Sequence, residues 1–112
     1  MNTRLMERKK DLEKELKRTR NLLIRHYTPE AIILFGSLVH GKIKETSDID
    51  LLVIKRTHKK FTERIGDVLR ICKPKIAADF IVYTPQEFLG LQERGDFIKR
   101  EIIEKGRMIY EK

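Results

Sequence analysis

The sequence predicts an α/β fold (of the α+β kind) in which a small mixed sheet lies between helices. Short apolar runs suited to strands alternate with stretches whose apolar residues recur at helical spacing. The segments between those runs are long enough for crossover helices, which permits a partly parallel sheet. The 112 residues suffice for one domain, expected over 1–112, with a core that needs no disulfide or metal to hold it.

The first element is a long helix over residues 3–27. Leu5, Leu12, Leu16 and Leu23, spaced seven, four and seven apart, line one face, and mixed charge covers the rest, including Glu13 four residues before Lys17. This stripe is expected to pack on the sheet, with self-association or partner binding as the alternative. Thr28-Pro29-Glu30 ends the helix. Ala31 to Phe35 is apolar throughout, as a strand buried on both faces requires. Ser37 to about Lys42 has room for a short helix closed near Gly41, and Ile49 to Ile54 reads as a second strand.

Lys60 to Cys72 carries Phe61, Ile65, Val68, Leu69 and Cys72 at helical spacing and stops at Lys73-Pro74. Ile76 to Tyr83 reads as a third strand. Thr84-Pro85-Gln86-Glu87 has the N-cap, first-turn proline and acidic residue of a capped helix start. One or two helices then fill 85–105, and Arg107 to Tyr110 follows Gly106 as a final strand.

A net charge of +8, with 38% charged residues, favours anionic partners: nucleotides, nucleic acid or an acidic protein surface. Two Asn, two Gln and no Trp fit equally a heat-adapted, charge-rich surface. The lone Cys72 excludes an internal disulfide and suggests a reducing compartment. There is no apolar run of membrane-spanning length, and the N-terminus is too charged for a secretory signal. A soluble cytoplasmic protein is the expectation.

The stretch FGSLVHGKIKETSDID concentrates the chemistry. Side chains alternate along a strand, so Asp48 and Asp50 project to one side, about 6–7 Å apart along the backbone. In the third strand Asp79 shares a face with Ala77, Ile81 and Tyr83, a charge set in an apolar run whose burial without a partner would cost several kcal/mol. A divalent cation explains all three carboxylates. Oxygen ligands suit Mg²⁺ or Mn²⁺, and His26, His40 and His58 lack the spacing of zinc ligands. Gly36-Ser37 adds a turn that lets another group approach the backbone, followed by a helix start whose free amides favour anions. A nucleoside triphosphate would lie between the two.

Gly36-Ser37, ten residues, then Asp48-Ile49-Asp50 resembles the GS-x10-D-x-D signature of the DNA polymerase beta-like nucleotidyltransferases. FGSLVHGKIKETSDIDLLVI is similar to the minimal nucleotidyltransferase branch, and Asp79 within Ala78-Asp79-Phe80-Ile81 resembles the third acidic position of that family. The resemblance implies the nucleotidyltransferase fold. It implies that Asp48 and Asp50 bind Mg²⁺ (or Mn²⁺) carrying the nucleotide, that Asp79 completes the metal site and helps activate the acceptor hydroxyl, and that Gly36 and Ser37 contact the triphosphate. His40 stands where members often have Arg, which leaves Lys42 or Lys44 to supply the phosphate-facing charge.

Larger relatives hold the acceptor on a second domain; here a short C-terminal helix, another subunit or a separate protein is expected to do so. Minimal members resemble antitoxins paired with HEPN-domain toxins, some of which transfer AMP from ATP to a toxin tyrosine. The resemblance thus implies ATP as donor and a HEPN-type toxin as partner. A non-catalytic module that neutralises its partner by binding is the alternative. Direct RNA binding is weaker, for no aromatic-rich RNA platform is visible.

Overall fold

The computed structural model describes residues 2–112. Its elements are α1 (Thr3–His26), β1 (Ala31–Phe35), α2 (Ser37–His40), β2 (Ile49–Ile54), α3 (Phe61–Cys72), β3 (Ala78–Tyr83), α4 (Pro85–Arg94), the π-helical α5 (Ile98–Glu104) and β4 (Arg107–Glu111). The strands form one mixed sheet in the order β3-β2-β1-β4. β1 runs antiparallel to β2 and β4, and β2 runs parallel to β3.

The period-2 alternation of the strands assigns each residue to one of two cores. Ile32 and Leu34 of β1, Ile49, Leu51 and Val53 of β2, and Phe80 and Val82 of β3 face α1 and α3, where they meet Leu12, Leu23, Val68 and Cys72. Ala31, Ile33, Phe35, Leu52 and Ile54 face the other way, toward Ile98 and Ile102 of α5, with Ile81, Tyr83, Phe88 and Leu91 packed around them. Both central strands are covered on both sides, which explains the unbroken apolar sequence of β1 and that of β2 beyond Asp50.

Leu12 and Leu23 are fully buried, so the stripe of α1 packs on the sheet. Thr84 accepts from the Glu87 amide while Glu87 reaches back to the Thr84 amide, completing the capping box of α4. β3 begins at Ala78 rather than Ile76, because the chain is still arriving from the Lys73-Pro74 turn. Phe61 and Leu69, placed by spacing on the buried face of α3, are 42% and 43% exposed. Arg64 takes the interior position instead, donating to the Val82 and Lys59 carbonyls and, through both terminal nitrogens, to Glu87.

A second buried charge lies on α1. Glu15 accepts two hydrogen bonds from Arg18, at 2.7 and 3.0 Å, and one from the Lys75 amide at 2.7 Å. Arg18 in turn donates to the Cys72 and Lys73 carbonyls. These bonds hold its carboxyl down at about 2, the Arg18 bond contributing most. The pair ties α1 to the end of α3 and to the segment entering β3.

Candidate functional site

The functional side chains gather where β1 ends and β2 and β3 begin. β1 is antiparallel to β2, so Phe35 lies opposite Asp50, and the parallel register sets Asp50 beside Asp79. Asp48, one residue before β2, completes the group: carboxylate oxygens of Asp48, Asp50 and Asp79 lie within 4.8 Å of one another. The crossover from β2 through α3 to β3 thus brings together residues up to 31 positions apart in sequence.

Exposure differs across the cluster. Asp48 and Asp50 are half-buried, whereas Asp79 is exposed. The expectation of a carboxylate sunk in an apolar run does not hold for Asp79. β3 is an edge strand, and the apolar cover of its Asp79 face gathers around Ile81 and Tyr83. Asp50 carries the burden instead: burial first, then the charges of Asp48 and Asp79 and a hydrogen bond with Asp79, push its carboxyl up to about 6.

Gly36 has φ +83° and ψ −157°, a region open essentially to glycine alone. A Cβ there would run into the Asp50 carboxylate. The glycine therefore does two things, turning the chain out of β1 and leaving room for Asp50. Ser37 opens α2, whose first amides have no intrahelical acceptor, and Gly41 closes it in the left-handed conformation at φ +72°.

Beside this turn lies an open cavity of about 440 Å³ lined by Gly36, Ser37, His40, Lys42, Lys44, Ser47 and Glu101. It gathers Gly36, Ser37 and Lys42, the three residues expected to meet the nucleotide, and adds Lys44 as a second cation. His40 sits on the rim, exposed. Ser47 is a turn residue, not a nucleophile: its amide donates to the Lys44 carbonyl at 3.0 Å, and its hydroxyl accepts from the Lys44 amide at 2.8 Å. Glu101 was not legible as a site residue, since α5 reaches the cavity only through tertiary packing.

The donor set fits a hard divalent cation. Asp50, raised by burial and then by the charges of Asp48 and Asp79, would be relieved by one positive charge placed among the three carboxylates, and oxygen ligands suit Mg²⁺ or Mn²⁺. Cys72 offers no alternative chemistry, because burial pushes its thiol up to about 11.

A mixed sheet presenting an acidic cluster next to a glycine-serine turn defines a nucleotidyltransferase-type domain. The family model "Polymerase beta, Nucleotidyltransferase" matches residues 14–112, and the chain belongs to that family. The chain is also similar in fold to a crystal structure described as a proposed nucleotidyltransferase from Sulfolobus solfataricus. The TM-score is 0.68 at 18% sequence identity, over 100% of this chain and 91% of that one. No curated protein is significantly similar in sequence. The chain thus carries a nucleotidyltransferase-family domain. Among the described residues no helix is long and apolar enough to cross a membrane.

Proposed function

We propose that this domain transfers a nucleoside monophosphate, AMP from ATP, to a hydroxyl of a partner protein in a Mg²⁺- or Mn²⁺-dependent reaction. The convergence of Asp48, Asp50 and Asp79 within 4.8 Å, next to Gly36-Ser37, carries this reading. The cation would supply the positive charge that holds the triphosphate and polarises its α-phosphate.

The chain's own groups take the remaining roles. Asp48, on the loop leading into β2, and Asp50, on the strand, would hold the cation. Ser37, Lys42 and Lys44 meet the outer phosphates from the cavity rim, where cationic donors favour anionic oxygens. Asp79, the exposed carboxylate, also stands where it can accept the proton of an incoming acceptor hydroxyl. The acceptor oxygen bonds to the α-phosphorus, the bond from that phosphorus to the bridging oxygen breaks, and pyrophosphate leaves. Phe97, 53% exposed and edge-on to Phe35, adds an apolar contact near the cluster suited to a protein acceptor. The resemblance to antitoxins makes a tyrosine of a HEPN-type toxin the proposed acceptor, and the reaction its neutralisation.

A second reading, neutralisation by binding alone, draws support from His40, which stands where members of the resembled family often have Arg. One experiment separates the two: incubation with each NTP, Mg²⁺ and the product of the adjacent gene, followed by intact mass. A gain of one nucleoside monophosphate on the partner, lost in the Asp48→Ala/Asp50→Ala double variant, is the expected result. Equal transfer by that variant removes the catalytic reading. Neutralisation by it without transfer establishes the second.

A further inference from the structure

The strand register fixes Asp50 and Asp79, but Asp48 lies outside β2 on the loop joining α2 to β2. Repulsion from its two neighbours acts on a residue with no strand pairing of its own. Something must hold the loop. The Lys44–Ser47 turn does part of this, and its last residue, Ser47, is only 8% exposed. The rest comes from α1: Arg8 donates through a terminal guanidinium nitrogen to the Ser47 carbonyl at 2.6 Å. That carbonyl belongs to the peptide unit leading into Asp48.

Two observations set Arg8 apart from an ordinary surface arginine. Its Nε is buried without a hydrogen-bond partner, a cost that free rotation into solvent would remove. Among the described residues no carboxylate pairs with it, and its polar contact is with the loop carbonyl. Arg8 also precedes the residues matched by the family model, which begin at 14.

We infer that Arg8 is a positioning residue for the acidic cluster, clamping the Ser47 carbonyl so that Asp48 stays beside Asp50 and Asp79. The inference rests on reading the cluster as a cation site. The test is titration with Mn²⁺ alone, following free Mn²⁺ by electron paramagnetic resonance, so that no acceptor or nucleotide is needed. Arg8→Met keeps the aliphatic stem and removes the donor; its Mn²⁺ affinity is expected to fall about tenfold, at the low end for the loss of an outer-shell partner. Arg8→Lys restores a donor without the fixed planar geometry and should recover part of the loss. Asn2→Ala, which removes the side-chain cap accepting from the Leu5 amide, loosens the start of α1 and should leave Mn²⁺ affinity unchanged.

Wild-type affinity in folded Arg8→Met overturns the inference, and so does an equal loss in Asn2→Ala, which would trace the effect to helix stability. If Arg8→Met does not fold, Arg8→Lys decides, and wild-type affinity in it overturns the inference. A wild-type protein that binds no Mn²⁺ removes the cation reading itself, and Arg8's role with it.

Discussion

The carboxylate of Asp50 rests against the Cα of Gly36, in the space where any other residue would carry a side chain. The turn that ends β1 and the acid one residue into β2 are therefore a single fitted pair, although fourteen positions separate them in sequence. Gly36→Ala should cost about 1–3 kcal/mol from backbone conformation alone. It should also displace Asp50, so Mn²⁺ affinity should fall by more than the loss of stability explains. Calorimetric melting and Mn²⁺ titration on the same samples check this.

Asp50 should make the cation-free protein less stable as pH rises. Its folded carboxyl is raised to about 6 from an ordinary value of 3.8, so the folded state binds a proton that the unfolded chain has released. The stabilising contribution is full below about pH 4 and is lost as pH rises through 6. Asp50→Asn should therefore stabilise the EDTA-treated protein at pH 7.5 by about 0.5–1 kcal/mol, a figure reduced for partial exposure. The gain should shrink below pH 5 in denaturant titrations, while Mn²⁺ binding is lost at every pH.

Glu15 should show the opposite sign. Its carboxyl is held at about 2 in the folded protein, so its contribution is present above about pH 4.5 and disappears as pH falls toward 2. Glu15→Ala leaves Arg18 and the Lys75 amide without their acceptor. The expected cost is about 2–3 kcal/mol, below that of a fully buried pair because Arg18 is 28% exposed. Chemical denaturation at pH 7 measures the loss, and the gap to wild type should narrow at pH 3.

The cavity cations can be tested without touching the carboxylates. Lys42→Ala with Lys44→Ala should weaken ATP binding about tenfold, or about 1.4 kcal/mol, with little change in melting temperature. His40→Arg should strengthen it about threefold or more, since a guanidinium adds a permanent charge and a bidentate donor. Equilibrium binding of a labelled ATP analogue reads both, and unchanged affinity in the double lysine variant would remove the cavity from the nucleotide reading.

Elements with a strong local signal were legible in the sequence. The capped start of α4, the apolar β1 and β2, and the Gly41 stop all follow from rules acting over a few residues. Asp48 and Asp50 were legible as a pair, because alternation along one strand gives them a common side. Asp79 joined them as a charge set in an apolar run and through the family resemblance, and its place beside Asp50 depends on the β2–β3 register. Asp79's exposure was not legible, since it depends on β3 taking the sheet edge, and strand order is a tertiary property. The same holds for Arg64 and Glu15. On a helical pattern a buried charge looks like a solvated one, and only its partners on other elements, Glu87 for Arg64 and Arg18 with the Lys75 amide for Glu15, distinguish them. Phe61 and Leu69 erred in the reverse direction for the same reason.

The pairing of Asp50 with Asp79 along parallel strands makes the site sensitive to how the chain assembles. If β3 slipped by one residue, Asp79 would turn toward α1 and α3 and Phe80 would come to lie beside Asp50. Such a misassembled sheet could keep most of its hydrogen bonds and still lack the cluster. On the proposed cation reading, Mn²⁺ binding reports strand alignment: a preparation that binds it stoichiometrically has its strands in register, and one that merely has strands need not.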